Sequence, residues 1–301
     1  MPENIQYNNC PSCGSEAIQF FIVCKDHLVS GETFELWQCN NCNLRFTQNA
    51  PSEKEIGRYY QSEDYMSHAI GGKGLFNNMY QLARKYSVWW RCRLVLQTSK
   101  KHDGNILDIG SGVGAFAGGI KKNGWNTTAI EPDADARLSA LKQYGIEAQP
   151  MSDLYGFADK SFDVITLWHV LEHVHDLHGY MKEITRLLKK EGFLIIAVPN
   201  FLSTDARHYK PFWAAYDVPR HLYHFSPGAM EKLTRIHGFK IIRKRLFWLD
   251  AYFASLLSEE HKHGRKKWIV AAWYGLISNL KAFTNKDRGS AITYILQKDE
   301  L

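Results

Sequence analysis

The sequence predicts an α/β protein, a doubly wound and mostly parallel sheet of Rossmann-like type preceded by a small metal-binding module. Three observations carry this. The run Asn105-Ile-Leu-Asp-Ile109 breaks into glycines at 110, 112 and 114, with helix-compatible residues after them; glycine suits a sharp strand-to-helix turn where backbone approaches a ligand. Apolar runs then alternate with helical stretches, as a parallel sheet requires. Four of the six cysteines fall near the start as two CxxC pairs.

The first element, residues 1–50, reads as a zinc ribbon. Cys10-Pro-Ser-Cys13 and Cys39-Asn-Asn-Cys42 stand twenty-five residues apart, and each pair offers two thiolates to one tetrahedral ion. Ile18–Val23 and Thr33–Gln38 are strand-like, and Gly14 and Asn40-Asn41 suit the turns under the pairs. A closed four-thiolate site has no open position, so its role is structural. Two disulfides conflict with the expected cytoplasmic compartment. Cys24 and Cys92 read as buried thiols. Residues 51–101 follow as a linker bearing Tyr59, Tyr60 and Tyr65. After a break at Gly71-Gly-Lys-Gly74, Leu75, Met79, Leu82, Tyr86 and Trp89/Trp90 mark an amphipathic helix.

Residues 102–301 carry the sheet. Seventeen positions after Gly114, the run Thr127–Ile130 ends in Glu131, where a second strand places the acid that holds ribose hydroxyls. These features imply a nucleoside cofactor. Asp108 would repel a pyrophosphate but suits a cationic amino-acid tail. Region 145–154 is a poorly patterned third strand; Phe162–Leu167 and Phe193–Pro199 are the fourth and fifth. Ser226-Pro227 starts a helix that runs to His237 and stops at Gly238. Phe239–Arg245 reads as the sixth strand and Ser290–Gln297 as an antiparallel seventh at the sheet edge. Residues 247–288 between them are a mostly helical insertion, where acceptor specificity would be built.

The Asp-x-Gly-x-Gly-x-Gly turn, Phe162–Leu167, Trp168-His-Val-Leu-Glu-His173 and Leu187–Gly192 stand in the order and spacing of a known family. Over residues 100–245 the chain resembles the class I S-adenosylmethionine-dependent methyltransferases. The resemblance implies a seven-stranded sheet, S-adenosylmethionine as cofactor, and Asp108, Gly110, Ser111, Gly112 and Gly114 along its methionine and ribose. It further implies Glu131 on the ribose, Asp153 at the adenine, and Trp168 and His169 at the methyl end. Tyr60 and Tyr65 would belong to a segment closing over the sulfonium. Asp217–Ser226 resembles the segment of zinc-ribbon sugar methyltransferases that carries Tyr-x-Glu-His, with His221 on the histidine position as base. Val218 and Arg220 replace the tyrosine and glutamate, which weakens the case for C-methylation. Arg220 and His224 are acceptor-side candidates, and His169 is a second candidate base. Leu171-Glu-His-Val174 resembles the quinone-type O-methyltransferases.

Other classes fit less well. A formal charge of +6 and pI near 8.9 invite an RNA-binding reading, but acids are interleaved. The Asn/Asp-Pro-Pro-Tyr block usual for amino-group methylation of bases is replaced by Thr166-Leu-Trp-His169. His169-Val-Leu-Glu-His173 also spells an inverted zinc-peptidase signature, which requires a helix. The apolar run 268–280 is too short to span a bilayer, although the basic segment 261–267 leaves peripheral membrane contact open. No secretory signal is evident, and the terminal Lys298-Asp-Glu-Leu301 reads as coincidence. The expectation is a cytoplasmic methyltransferase acting on a small molecule, sugar or lipid/quinone head group, with O-methylation favoured. An RNA or protein methyltransferase and a non-catalytic ribbon scaffold are the alternatives; the oligomeric state is not encoded legibly.

Overall fold

The computed structural model describes residues 4–60 and 75–299, except for the side chains of residues 75–80. Tyr65, the Gly71–Gly74 break and the last two residues of the terminal tag lie outside the described residues. The strands form three sheets. A small pair joins β1 (Asn4–Ile5) to β5 (Ala50–Pro51). The ribbon sheet contains β2 (Ile18–Lys25), β3 (Thr33–Cys39) and β4 (Arg45–Gln48), with a fourth strand, β10 (Tyr223–His224), supplied from far along the chain.

The main sheet contains β6 (Asn105–Ile109), β7 (Asn126–Ile130), β8 (Phe162–Trp168), β9 (Leu188–Pro199), β11 (Phe239–Arg245) and β12 (Ala291–Lys298), in the order β11-β12-β9-β8-β6-β7. β6 to β9 are parallel, while β12 runs antiparallel to both neighbours. Thus β12 lies one strand in from the edge, and β11 is the edge.

The sheet has six strands among the described residues, not seven. The expected third strand is reduced to one parallel bridge, Gln149 with Ile130. Gln149 still donates to Ala129 O and accepts from Glu131 N, both at 2.9 Å. Pro150 comes next and has no N–H to continue the ladder; the chain turns instead into the 3-10 segment Met151–Gly156.

Alternation along the strands assigns the two faces. Ile106, Val164, Ile195 and Ile295 pack with α1 (Leu75–Ser99) and α2 (Ala115–Lys122). Leu107, Ile165, Leu194 and Ile292 face α4 (Leu177–Leu187) and α6 (Pro227–Ile236). The remaining helices are α3 (Ala134–Tyr144), α5 (Thr204–Tyr209), α7 (Leu249–His263) and α8 (Trp268–Thr284). Local signals act where expected: Ser226 Oγ caps α6 by accepting from Ala229 N, and Gly238 follows with φ 73°.

Two packing results depart from the sequence pattern. Cys10, Cys39, Leu44 and Phe46 belong to the same apolar cluster as the second face of the main sheet, so the ribbon is packed into the core. The stripe expected on α1 divides: Leu82, Tyr86 and Trp89 are exposed, whereas Trp90 packs against the core cluster that contains Cys92, Leu94 and Val95.

Candidate active site

The site lies at the carboxyl ends of β6, β7 and β8, where strand order reverses about β6; this is the crevice in which open α/β sheets bind ligands. Gly110, Gly112 and Gly114 take φ of 70°, 53° and 76°, left-handed values that favour glycine. At Gly110 a Cβ would meet Val170 Cγ2, and at Gly114 it would meet Ala140 Cβ at 2.8 Å. At Gly112 it would meet nothing within 4 Å. The first and third glycines therefore serve packing, and the second faces open space.

The polar groups around that space match a nucleoside. Glu131 Oε2 accepts from Gly112 N at 2.7 Å and Oε1 from Asp133 N at 3.0 Å, which leaves a lone pair on each oxygen for hydroxyl donors. Ser111 Oγ is buried without a hydrogen-bond partner among the described residues, as a group awaiting a ligand would be. Asp153 sits exposed on the 3-10 segment after Gln149, with Ser152 Oγ donating to its carboxylate. Asp108 is buried and accepts from Thr166 Oγ1 at 2.7 Å, across the β6–β8 register. Burial pushes its carboxyl up to about 7; Thr166 and the Arg91 charge pull the other way, and Glu131 adds to the rise.

Beside the glycine turn, residues 169–176 form turns rather than a helix. His169 and His173 therefore do not share a helical face, and the peptidase signature lacks its required geometry. His169 has φ 58°, its N–H bonds Ala197 O, and its Nδ1 lies 3.4 Å from Glu172 Oε1. Burial opposes its charged form, but the Glu172 carboxylate raises its pKa. Trp168, by contrast, is buried against Phe116 and Trp90 on the α1–α2 side, with the Arg91 guanidinium 4.9 Å from its ring.

The turn meets the Asp217–Ser226 segment. Ligand atoms of Glu172, His173 and His221 lie within 4.8 Å of one another, close enough to share a cation or an acceptor's proton. His173 Nδ1 is 3.1 Å from both Arg220 O and Tyr60 Oη. Burial lowers its pKa to about 4, helped by the neighbouring His221. His221 Nδ1 lies 2.9 Å from Ala215 O, and its Nε2 is 3.9 Å from Asp217 Oδ2. A carbonyl can only accept, so both Nδ1 atoms carry the hydrogen and both Nε2 atoms are bare when the rings are neutral. Burial disfavours the charge on the fully buried Glu172, but His169, His221 and His173 hold its pKa down. Apart from the 3.4 Å His169 contact, its carboxylate oxygens have no hydrogen bond among the described residues.

Arg220 and His224 are placed differently. The Arg220 guanidinium is buried and donates to Asp26, Asp217 and Tyr59 O, tying the ribbon to this segment. His224 is buried on β10, with Nε2 3.3 Å from Thr47 Oγ1. Thr47 Oγ1 also donates to His221 O, and Thr47 N to Leu222 O. The ribbon thus sets the position of His221.

Arg91, Thr166 and Asp250 were not singled out from the sequence. Thr166 carried a signal, a lone hydroxyl within an otherwise apolar stretch of β8. Arg91 and Asp250 carried none; Asp250 comes from α7, where burial raises its carboxyl pKa against the opposing charges of His169 and Arg91.

The ribbon thiols form a tetrahedral set. Cys10 and Cys42 Sγ are 3.6 Å apart, Cys13 and Cys39 Sγ are 3.7 Å apart, and all four ligand atoms lie within 4.8 Å of one another. A tetrahedron with ~2.3 Å metal–sulfur bonds has edges of about 3.8 Å, so the set fits a zinc-sized ion.

Known proteins are similar to parts of this chain. A family profile described as "Methyltransferase domain" matches residues 81–244, more than half of the chain. Ubiquinone biosynthesis O-methyltransferase of Rickettsia bellii is 28% identical over 120 residues, covering 36% of this chain and 50% of that protein. Demethylmenaquinone methyltransferase of Tropheryma whipplei is 28% identical over 157 residues, covering 48% and 63%. The chain spans about half the length of the first of these relatives and under two thirds of the second. Among solved structures, magnesium protoporphyrin IX methyltransferase of Synechocystis with bound SAH superimposes with a TM-score of 0.52, at 13% identity, covering 82% of this chain and all of that one; this is a likeness of fold. With a glycine turn, a ribose-type acid and the profile match coinciding on one stretch, the chain belongs to the methyltransferase-domain family.

Proposed function

We propose that the protein transfers a methyl group from S-adenosylmethionine to a hydroxyl of a small molecule, a quinol-type ring or lipid head group foremost. The observation that carries this is that the glycine turn packs on Val170, at the start of the turn that brings Glu172 and His173 to His221, whose neutral ring leaves Nε2 bare. S-adenosylmethionine supplies an electrophilic methyl on a sulfonium. Gly112 would give its ribose room, Glu131 and Ser111 Oγ would hydrogen-bond its polar groups, Asp153 would meet the adenine, and Asp108 would favour its positive charge. A zinc ion held by Cys10, Cys13, Cys39 and Cys42 would supply folding energy.

An acceptor hydroxyl becomes nucleophilic as its proton leaves. His221 Nε2 is the group placed to take it, and Asp217 stabilises the resulting imidazolium. His173, held neutral by burial, packs edge-on against His221, with 4.5 Å between ring centroids, and adds no second positive charge there. The names of the two relatives support a quinone-type small molecule over a nucleic acid, and the Rickettsia name alone supports an oxygen acceptor. Labelled cofactor offered with quinols, sugar nucleotides and RNA should mark a quinol oxygen. His221→Ala should lower kcat by about 10²–10⁴ with unchanged cofactor affinity. Label confined to RNA or protein, or a kcat within twofold of the parent, would refute the reading.

Asp108 gives a pH signature. The bound cation favours the ionised carboxylate, so below about pH 7 binding must release a proton. Cofactor affinity should fall up to about tenfold per unit below that pH and be flat above it. Free of cofactor, the raised pKa means that the folded protein holds this proton better than the unfolded chain. The resulting penalty grows from about pH 4 to 7 and is constant above. Asp108→Asn should then stabilise the cofactor-free protein at pH 8, on the order of 2–4 kcal/mol, and leave it unchanged at pH 4. It should also weaken binding. Titration calorimetry and melting curves across pH check both signs; a flat affinity profile from pH 5.5 to 8 removes Asp108 from the cradle.

A further inference from the structure

Helix α8 is packed inside out. Small and polar residues face the protein: Ala271, Gly275, Ser278, Asn279 and Ala282 are buried. Ser278 Oγ donates to Asp205 at 2.6 Å and Asn279 Nδ2 to Trp248 O at 2.9 Å. A Cβ on Gly275 would meet Tyr252 of α7 at 2.6 Å, so the two helices touch closely and the orientation is locked. The large apolar side chains point away: Ile269 is 87% exposed, Trp273 60%, Leu280 59% and Phe283 76%, with Leu276 between them. Their spacing of four, three, four and three residues is one continuous stripe along the helix.

The stripe continues onto a second element. Phe283 stacks near Trp248 (6.5 Å), the adjacent Phe247 packs on Tyr86 of α1 (5.7 Å), and Tyr86 packs on Trp89 (5.6 Å). Exposed apolar surface on this scale marks an interaction face. Basic residues predominate around it, with Glu260 (paired with Lys266) and Asp287 (paired with Lys244) at the ends of the stretch. Residues 261–286 contain no acid but include Lys262, Arg265, Lys267, Lys281 and Lys286, and residues 75–99 contain no acid but include Arg84, Lys85 and Arg93.

We propose that α8 and the outer face of α1 dock onto an anionic bilayer surface, with the apolar stripe entering the headgroup boundary and the basic rim facing lipid phosphates. A second copy of the same face would set basic rim against basic rim. Spanning is not available: no helix among the described residues is long and apolar enough to cross a membrane. The inference goes beyond the methyl-transfer reading and does not rest on it, although it would bring the site to a lipid-borne acceptor.

Co-sedimentation of the full chain with phosphatidylglycerol/phosphatidylcholine vesicles tests it, with pure phosphatidylcholine as the comparison. The chain should pellet with the anionic vesicles, less so at 0.5 M salt (about 4 Å screening length), and stay largely in solution with the neutral ones. The exposed double variant Trp273→Glu/Phe283→Glu should partition about tenfold less or weaker still, while retaining its melting temperature and S-adenosylmethionine affinity. No pelleting of the parent, or equal pelleting of the variant, overturns the proposal. So does a dimer in light scattering that the variant dissociates without any vesicle binding. Because cofactor affinity is read on the same samples, failure here is separable from failure of the methyl-transfer reading.

Discussion

Gly112→Arg is expected to abolish S-adenosylmethionine binding, with a loss of at least about a hundredfold by calorimetry. The position is chosen by what surrounds it. Gly112 N donates to the acid that would hold the ribose, and a Cβ there meets no atom of the described residues within 4 Å. The left-handed φ of 53° costs a non-glycine residue about 1–2 kcal/mol, which a domain stabilised by about 5–15 kcal/mol tolerates. The variant should therefore fold and fail to bind. Gly110→Val is the informative contrast: its side chain collides with Val170, so it should lower the melting temperature as well as affinity. A Gly112→Arg protein that binds the cofactor normally would falsify the placement.

Removing the ribbon metal should have the other large effect. Structural zinc contributes about 10–16 kcal/mol in small modules, comparable to the stability of a whole domain. Here the loss cannot stay local, because Cys10 and Cys39 share an apolar cluster with the main sheet. β10 also pairs with β4 through Tyr223↔Phe46 and His224↔Arg45. Chelation, or Cys39→Ser, should lower the melting temperature by at least ~10 °C. Methyl transfer should fall far more than cofactor affinity, since Thr47 anchors the His221 backbone while the glycine turn has its own contacts. Elemental analysis should give one zinc per chain. A metal-free protein of undiminished stability and turnover would contradict the assignment.

The glycine turn and the acid beside it were legible because their constraints are local. A turn with three left-handed positions admits glycine and little else, and an acid at the end of the next strand is fixed by chain distance. The acceptor side was legible only in pieces. His221 stood out as a candidate, yet its meeting with Glu172 and His173 depends on how the segment after β9 returns to the β8 turn. Arg220 looked like an acceptor-side residue from its position, but its donors are spent on Asp26, Asp217 and Tyr59. The α1 stripe misled in part, for a related reason: amphipathic spacing shows that a helix has an apolar face, not which way the face turns.

The sequence alone determined the parallel α/β sheet, the glycine turn and the two thiol pairs, since each rests on a period or spacing that neighbouring residues impose. Only the tertiary structure decided that Pro150 cuts the third strand to a single bridge, that a strand from residue 223 completes the ribbon sheet, and that α8 turns its large side chains outward. These outcomes depend on contacts between segments tens to hundreds of residues apart. Such contacts are selected by the packing of the whole chain, which no local pattern records.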